Sequence, residues 1–243
     1  MNWNNKEEVL KEVKSSGHAL IYASDRLKND KEVVLEAIKS NGMALRFASE
    51  RLRNNKEVVL EAVKCRCLSF EYASKFLRDD KDVVLEAVKS NGFVLDFASM
   101  RLRDDKDVIL EVVKKDGELL ALASERLRDD KDTVLEAVRI NGVALKHASE
   151  RLRRDKEVVL TAVRKHERAL ELARDCARDD KDIVLEAVKK DGELLALASE
   201  RLRDDTEFIS AVVRKDRRVL RYASERLRKL LEGKVNGKTE NVK

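Results

Sequence analysis

Asn29–Arg53 reads NDKEVVLEAIKSNGMALRFASERLR, with one apolar pattern of helical spacing on each side of Asn41-Gly42. In the first, Val33, Val34, Ala37 and Ile38 fall at i, i+1, i+4 and i+5 with Leu35 beside them, the broad stripe of an amphipathic helix. In the second, Ala44, Leu45, Ala48 and Leu52 do the same, and Phe47 widens the stripe. Asn29 or Asp30 can cap the first helix, and Glu32 stands at capping-box distance from Asn29. Asn41-Gly42 is expected to close the first helix through a left-handed turn, which glycine tolerates, and to cap the second. Helices of about ten residues are too short to be stable alone in water, so stacking on neighbours is required.

The phrase recurs in steps of 25, giving nine consecutive units that begin at Asn4, Asn29, Asn54, Asp79, Asp104, Asp129, Arg154, Asp179 and Asp204 without linkers. A fixed period of this size marks a stacked-repeat architecture. The expected fold is therefore all-α, an α-solenoid of nine tandem 25-residue helix-turn-helix repeats forming one domain over residues 4–228. Residues 229–243 are expected to form a short helical extension and a disordered polar tail. The turn pair recurs as Asn91-Gly92 and Asn141-Gly142, and in acidic form as Asp116-Gly117 and Asp191-Gly192. Arg66-Cys67, His166-Glu167 and Asp216-Arg217 interrupt it, so those turns are expected to be altered.

Composition agrees with this reading. Proline is absent, and 41% of the residues are charged, while aromatics at 4% leave few large core anchors. A core must be assembled from small aliphatic layers. The net charge of +5 is the difference between 52 basic and 47 acidic side chains, so whole-chain attraction to nucleic acid or anionic lipid is modest. Cys65, Cys67 and Cys176 give no disulfide framework and suit a reducing compartment. No apolar run approaches the roughly 20 residues of a membrane span, and the polar start Met1-Asn2-Trp3-Asn4-Asn5 lacks a signal-peptide core. The localisation default is intracellular, with export that needs no cleaved signal left open.

The unit Asp80–Gly92, DKDVVLEAVKSNG, followed by Val94–Ser99, VLDFAS, and a closing Leu102-Arg103, resembles a tandem helical-repeat family known as domain of unknown function 4116. Such repeats occur in bacterial and protist proteins, including candidate effectors of intracellular bacteria. The resemblance covers Asn4 to about Arg228 and implies no activity, cofactor or catalytic residue.

Comparison of the units with one another locates the variable positions. One position of the second helix holds His18, Met43, Leu68, Phe93, Glu118, Val143, Arg168, Glu193 and Arg218. Three residues on stand Ile21, Arg46, Glu71, Asp96, Ala121, Lys146, Glu171, Ala196 and Arg221, and four further on a series that includes Met100. On a continuous helix the i, i+3, i+7 spacing puts all three series on one face. Met43, Arg46, Phe93, Asp96, Met100, Glu118, Lys146, Arg168 and Arg221 are the candidate partner-binding face, although an unselected solvent face would vary in the same way. The expected partner is another protein. The runner-up is nucleic acid, held by Arg164, Lys165, Arg168, Arg214, Lys215, Arg217, Arg218 and Arg221.

The other recurrent chemistry reads as structural. The basic row Lys28, Arg53, Arg78, Arg103, Arg128, Arg153, Arg178, Arg203 and Arg228 is expected to pair with the acidic start of the following unit. Tyr22, Phe47, Tyr72, Phe97 and Tyr222 alternate with Leu122, His147, Leu172 and Leu197, so half-buried packing is favoured over base stacking. The recurrent serines, Ser24 to Ser224, are expected to bond back to the preceding turn. His18, His147 and His166 are dispersed, and Cys65 and Cys67 lack C-x-x-C spacing, so no metal site is expected. The phrase KKDGELLALASERLRDD occurs identically at Lys114–Asp130 and Lys189–Asp205, repetition that weighs against one preorganised catalytic constellation. No catalytic residue, cofactor or enzymatic activity is expected.

Overall fold

The computed structural model describes residues 1–236, with side chains through residue 232. No strand occurs among the described residues, and the fold is an α-solenoid of tandem helix-turn-helix repeats. In the repeat that begins at Asn29, the first arm is the α-helix Lys31–Ser40, whose Val33, Val34, Ala37 and Ile38 have no exposed surface. Its cap is Asp30, where Oδ1 accepts from the amides of Glu32 and Val33 at 3.0 and 3.3 Å. Asn29 takes no part in that cap, and the Glu32 carboxylate reaches Lys6 instead of closing a capping box.

The second arm, expected as one helix, is divided. Gly42–Phe47 is a 3-10 segment, Ala48 and Ser49 are extended, and Glu50–Arg53 is a four-residue α-helix. The division has a non-local cause. The Ser49 amide donates to the Lys28 carbonyl of the preceding repeat at 2.9 Å, so it is lost to the local helix. The Ser49 hydroxyl oxygen then accepts from the Leu52 amide at 3.3 Å, restarting the chain as an N-cap. In the 3-10 segment, side chains three apart eclipse, which keeps Ala44 and Leu45 buried and leaves Arg46 exposed beside half-buried Met43.

The turn glycines do not serve a left-handed conformation, since no described residue has positive φ. They permit close approach. A Cβ at Gly42 would lie 2.7 Å from the Ala62 carbonyl oxygen and 3.0 Å from the Arg66 amide nitrogen, both backbone atoms of the next repeat. Gly17, Gly117 and Gly142 face the carbonyls of Ala37, Ala137 and Ala162 in the same way. Where valine replaces that alanine, at Val212, a Cβ on Gly192 would meet the Val219 side chain at 2.5 Å and no backbone. The helix carrying Val212, Thr206–Val213, is also two residues shorter than Lys31–Ser40 (8 against 10 residues). Cys67 already places a side chain in the seam. There the bond from the Asn91 amide to Ala87 is stretched to 3.5 Å, against 2.8 Å for the Arg66 amide to Ala62.

The chain divides into two compact units, Met1–Lys115 with Leu122–Ser124, and Asp116–Ala121 with residues from Glu125 onward. In the first, Lys6–Ser15, Lys31–Ser40, Lys56–Cys65, Lys81–Ser90 and Lys106–Val113 pack in chain order, each on the next. The 3-10 segments form a second row, and Leu20, Leu45, Phe70 and Leu95 fill the seam between the rows with no exposed surface. In the second unit, Lys131–Ile140, Lys156–Lys165, Lys181–Lys190 and Thr206–Val213 repeat the arrangement, with Leu145, Leu170 and Leu195 fully buried. The last helix runs Glu225–Asn236, and the expected polar tail lies outside the described residues. No described helix is long and apolar enough to cross a membrane.

Gly42→Ala is expected to destabilise by about 1–3 kcal/mol, the usual range for overpacking a tight interior. Cys67→Ala, which adds no Cβ, should cost less. Urea unfolding of the two variants checks this, and equal losses would show that the seam yields freely at Gly42.

Candidate functional site

Two sets of polar side chains fasten the described repeats and fix what is left for recognition. In the first, an Asp or Asn that opens a repeat receives a serine and an arginine from the end of the same repeat. The Ser99 hydroxyl donates to Asp79, while Arg101 places Nε 3.0 Å from Asp79 Oδ1 and a terminal nitrogen 2.6 Å from the Asp79 carbonyl. Asp129 with Ser149 and Arg151, Asp179 with Ser199 and Arg201, and Asp204 with Ser224 and Arg226 repeat this staple. Asn29 accepts the same bonds from Ser49 and Arg51, each at 2.7 Å. Ser49, Ser99, Ser149, Ser199 and Ser224 thus cap the short segment that follows them and fasten it to the residue that opens their own repeat, instead of bonding back to the preceding turn, while Ser24 makes neither bond.

Sequence reasoning missed this staple. Its signal was joint loss: Arg154, Arg174 and Cys176 replace all three partners in one repeat. There Arg154 and Arg174 both turn to Glu150, and Ala177 replaces the leucine found in the other repeats.

The second set joins the long helices. Lys56 reaches Asp80 at 2.9 Å and Asp82 at 2.7 Å in the next repeat, and Lys81, Lys131 and Lys156 act alike. Burial pushes the Asp80 carboxyl up, but the Lys56 ammonium and the amides of Val83 and Asp82 outweigh it and hold the group below its ordinary value. The Ser99 hydroxyl and the Arg101 guanidinium hold Asp79 down as well.

The basic row Lys28 to Arg228 is half-buried between repeats. Arg78, Arg103, Arg153 and Arg178 donate to backbone carbonyls instead of the acidic start of the next helix. Arg103 Nε donates to the Leu122 carbonyl at 2.9 Å and Arg153 Nε to that of Leu172 at 2.8 Å, each at the end of a 3-10 segment. These bonds commit the side chains of Arg103 and Arg153 to holding neighbouring backbone.

The candidate face is distributed over the two units. In the first, Phe93 is 64% and Met100 73% exposed, and Asp96 is exposed 3.6 Å from Arg103. Arg46 lies over the Phe47 ring at 5.1 Å and the Tyr72 ring at 5.6 Å, while Met43 is half-buried. Met100 opens the short helix Met100–Arg103, separate from the 3-10 segment Gly92–Phe97, so the i+7 relation does not act along one helix. In the second unit, Glu118 pairs with Lys146, and Glu193 with Arg221 at 2.9 Å. Arg168 meets Glu171 at 3.0 Å and Asp191 at 3.5 Å. A variable residue of one 3-10 segment therefore touches a variable residue of the next.

Of the late basic residues, Arg168, Arg218 and Arg221 each hold a carboxylate, Arg218 through Asp216 at 2.9 Å. A cleft of about 510 Å³ opens beside Gly192 and Val212, with Arg218, Arg221 and Tyr222 in its wall. Cys65 and Cys176 are exposed free thiols and Cys67 is half-buried. Burial and the neighbouring Lys146 charge push the His147 imidazole below its ordinary value. Among the described residues no group of three or more His, Cys, Asp or Glu is placed to hold a metal ion.

The lowered carboxylates set an acid limit. A folded-state pKa below the unfolded value contributes stability that is complete above about pH 4 and is lost as pH falls through the folded value. Urea midpoints are expected to decline modestly as pH falls through about 6.5, where His147 takes up a proton more readily in the unfolded chain, and to fall more steeply below about pH 4. Asp79→Asn should reduce the acid slope at little cost near neutrality, because Asn29 already accepts the same bonds. An unchanged slope would show that Asp79 titrates alike in the folded and unfolded chain.

Neither the curated proteins nor the solved structures gave a match. The family described as Domain of unknown function (DUF4116) matches residues 5–53, 55–103, 80–128, 105–148, 130–175 and 180–228. Matches that start at 55, 80, 105 and 130 advance by one 25-residue repeat while each spans close to two, so the family's unit is a pair of the repeats seen here. With matches along most of its length, the chain belongs to the Domain of unknown function (DUF4116) family.

Proposed function

We propose that this chain is a non-catalytic repeat protein that binds another protein, as a recognition surface or scaffold. The observation that carries the reading is the division of labour within each repeat. The buried seam and the Asx caps of the long helices recur with little change, whereas the exposed positions of the 3-10 row and the short helices vary in charge and size. Phe93 and Met100, 64% and 73% exposed, supply large apolar contacts without serving the core. Around them stand charges of both signs, which suits the apolar centre and polar rim of a protein interface.

A nucleic-acid track needs uncompensated positive charge along the backbone path. The pairing of Arg168, Arg218 and Arg221 with carboxylates weighs against it.

Phe93→Ser and Met100→Ser, separately and together, are expected to leave helical circular dichroism unchanged and unfolding free energy within about 0.5 kcal/mol. A photo-crosslinking residue at Asp96 should give protein adducts in cells, reduced by the double serine variant. RNA adducts with steep salt dependence, or protein adducts indifferent to both substitutions, would overturn the reading.

A further inference from the structure

One junction has its acceptors in place and lacks its arginine. At Asn54 the side-chain oxygen accepts the Ser74 hydroxyl at 2.5 Å, as Asn29 accepts that of Ser49 at 2.7 Å. Ser74 also accepts from the Leu77 amide at 3.2 Å, as Ser49 does from Leu52, although the chain there continues as the 3-10 segment Leu77–Asp79. At Asn29, Arg51 completes the set by donating to the side-chain oxygen and to the backbone carbonyl. Beside Asn54 the equivalent residue is Phe76, whose side chain has no donor and is 79% exposed.

A groove of about 560 Å³ opens at this place, with Asn54, Ser74, Tyr72 and Phe76 in its wall together with the carboxylates of Glu50 and Glu71. Two of the wall's arginines are already directed elsewhere, Arg51 to Asn29 and Arg78 to the Phe97 carbonyl at 3.4 Å.

We propose that the Asn54–Ser74 junction binds the guanidinium of an arginine side chain carried by a partner protein. The incoming group takes the two acceptors that the chain's own arginines take at Asn29, Asp79, Asp129, Asp179 and Asp204. Asn29 shows that a neutral amide suffices. The exposed Phe76 ring gives the planar guanidinium a surface to stack on, and the pair of acceptors favours its fixed fork over the point charge of lysine. That the arginine comes from a protein rests on the protein-binding reading; the acceptor geometry stands without it.

The test uses the full chain, nitrogen-15 labelled, titrated with acetyl-Gly-Arg-Gly-amide and with its lysine and citrulline counterparts. The expected result is shifts centred on the Asn54 side-chain amide and Ser74, with arginine favoured roughly three-fold or more. Asn54→Asp should tighten arginine binding roughly five-fold through a charge-assisted bond. Phe76→Arg should remove the shifts at Asn54 by supplying the missing group from within. Shifts spread over the acidic surface, equal response to lysine, or a response at Asn54 indifferent to both substitutions would overturn the proposal. Since the probe is a peptide and the readout sits at Asn54, the result is independent of what crosslinks at Asp96.

Discussion

One backbone hydrogen bond per junction underlies the architecture. The amide that follows each 3-10 segment and its alanine donates to a carbonyl 21 residues earlier, as in Ser49 to Lys28 and Ser99 to Arg78. The bond persists where the serine is replaced, from the Arg174 amide to the Arg153 carbonyl at 3.2 Å. It diverts an amide from the local helix and so divides the second arm. The division in turn requires a new N-cap, which serine supplies, and places the short helix where its arginine reaches the residue that opens its own repeat. Close approach of the 3-10 turn to the next long helix then favours glycine, as at Gly42 opposite Ala62, while Cys67 opposite Ala87 is accommodated with a stretched backbone bond there.

This ordering explains which substitutions the chain carries. A net backbone bond contributes about 0.5–1.5 kcal/mol and makes no demand on side-chain identity. Exposed ion pairs contribute about 0–1 kcal/mol, so individual staples are expendable while the apolar seam is continuous. The repeat that begins at Arg154 has exchanged its staple for contacts of Arg154 and Arg174 with Glu150, and it still buries Val158, Val159, Ala162 and Leu170 completely.

Much of the fold was legible in the sequence because its causes are local or periodic. The 25-residue period, the stripe of Val33, Val34, Ala37 and Ile38, and the Asx cap are all carried by residues close in the chain. The divided arm was not, because Ala44, Leu45, Ala48 and Leu52 satisfy helical spacing and the diverted amide answers to a carbonyl in another repeat. A signal was present in Ser49-Glu50-Arg51-Leu52, a serine followed by good helix formers, which reads equally as an N-cap. The glycines were read through conformation when their cause is distance, a property of Gly42 and Ala62 together that neither residue states alone. At the candidate surface, Phe93 and Met100 proved exposed, as variation in chemistry at their positions implies. Met43 and Glu118 are half-buried, Glu118 against Asn141 and Lys146 of the next repeat, a contact that comparison of single positions does not contain.

The same logic bears on where recognition can develop. Large exposed apolar side chains fall mainly within residues 1–115, at Ile21, Tyr22, Leu68, Phe76, Phe93 and Met100. In the second unit the equivalent positions carry the pairs Glu118 with Lys146 and Glu193 with Arg221. A charge satisfied by the adjacent repeat is a poor anchor, since a partner must first displace it and then desolvate both groups. An exposed phenylalanine or thioether has no such prior commitment and gains by burial. On the proposed protein-binding reading, the first unit therefore has the surface better suited to contribute affinity, and the paired charges of the second are better suited to exclude unsuitable partners. Both roles are open to change because the backbone bond and the glycine seam hold the repeats in register without them.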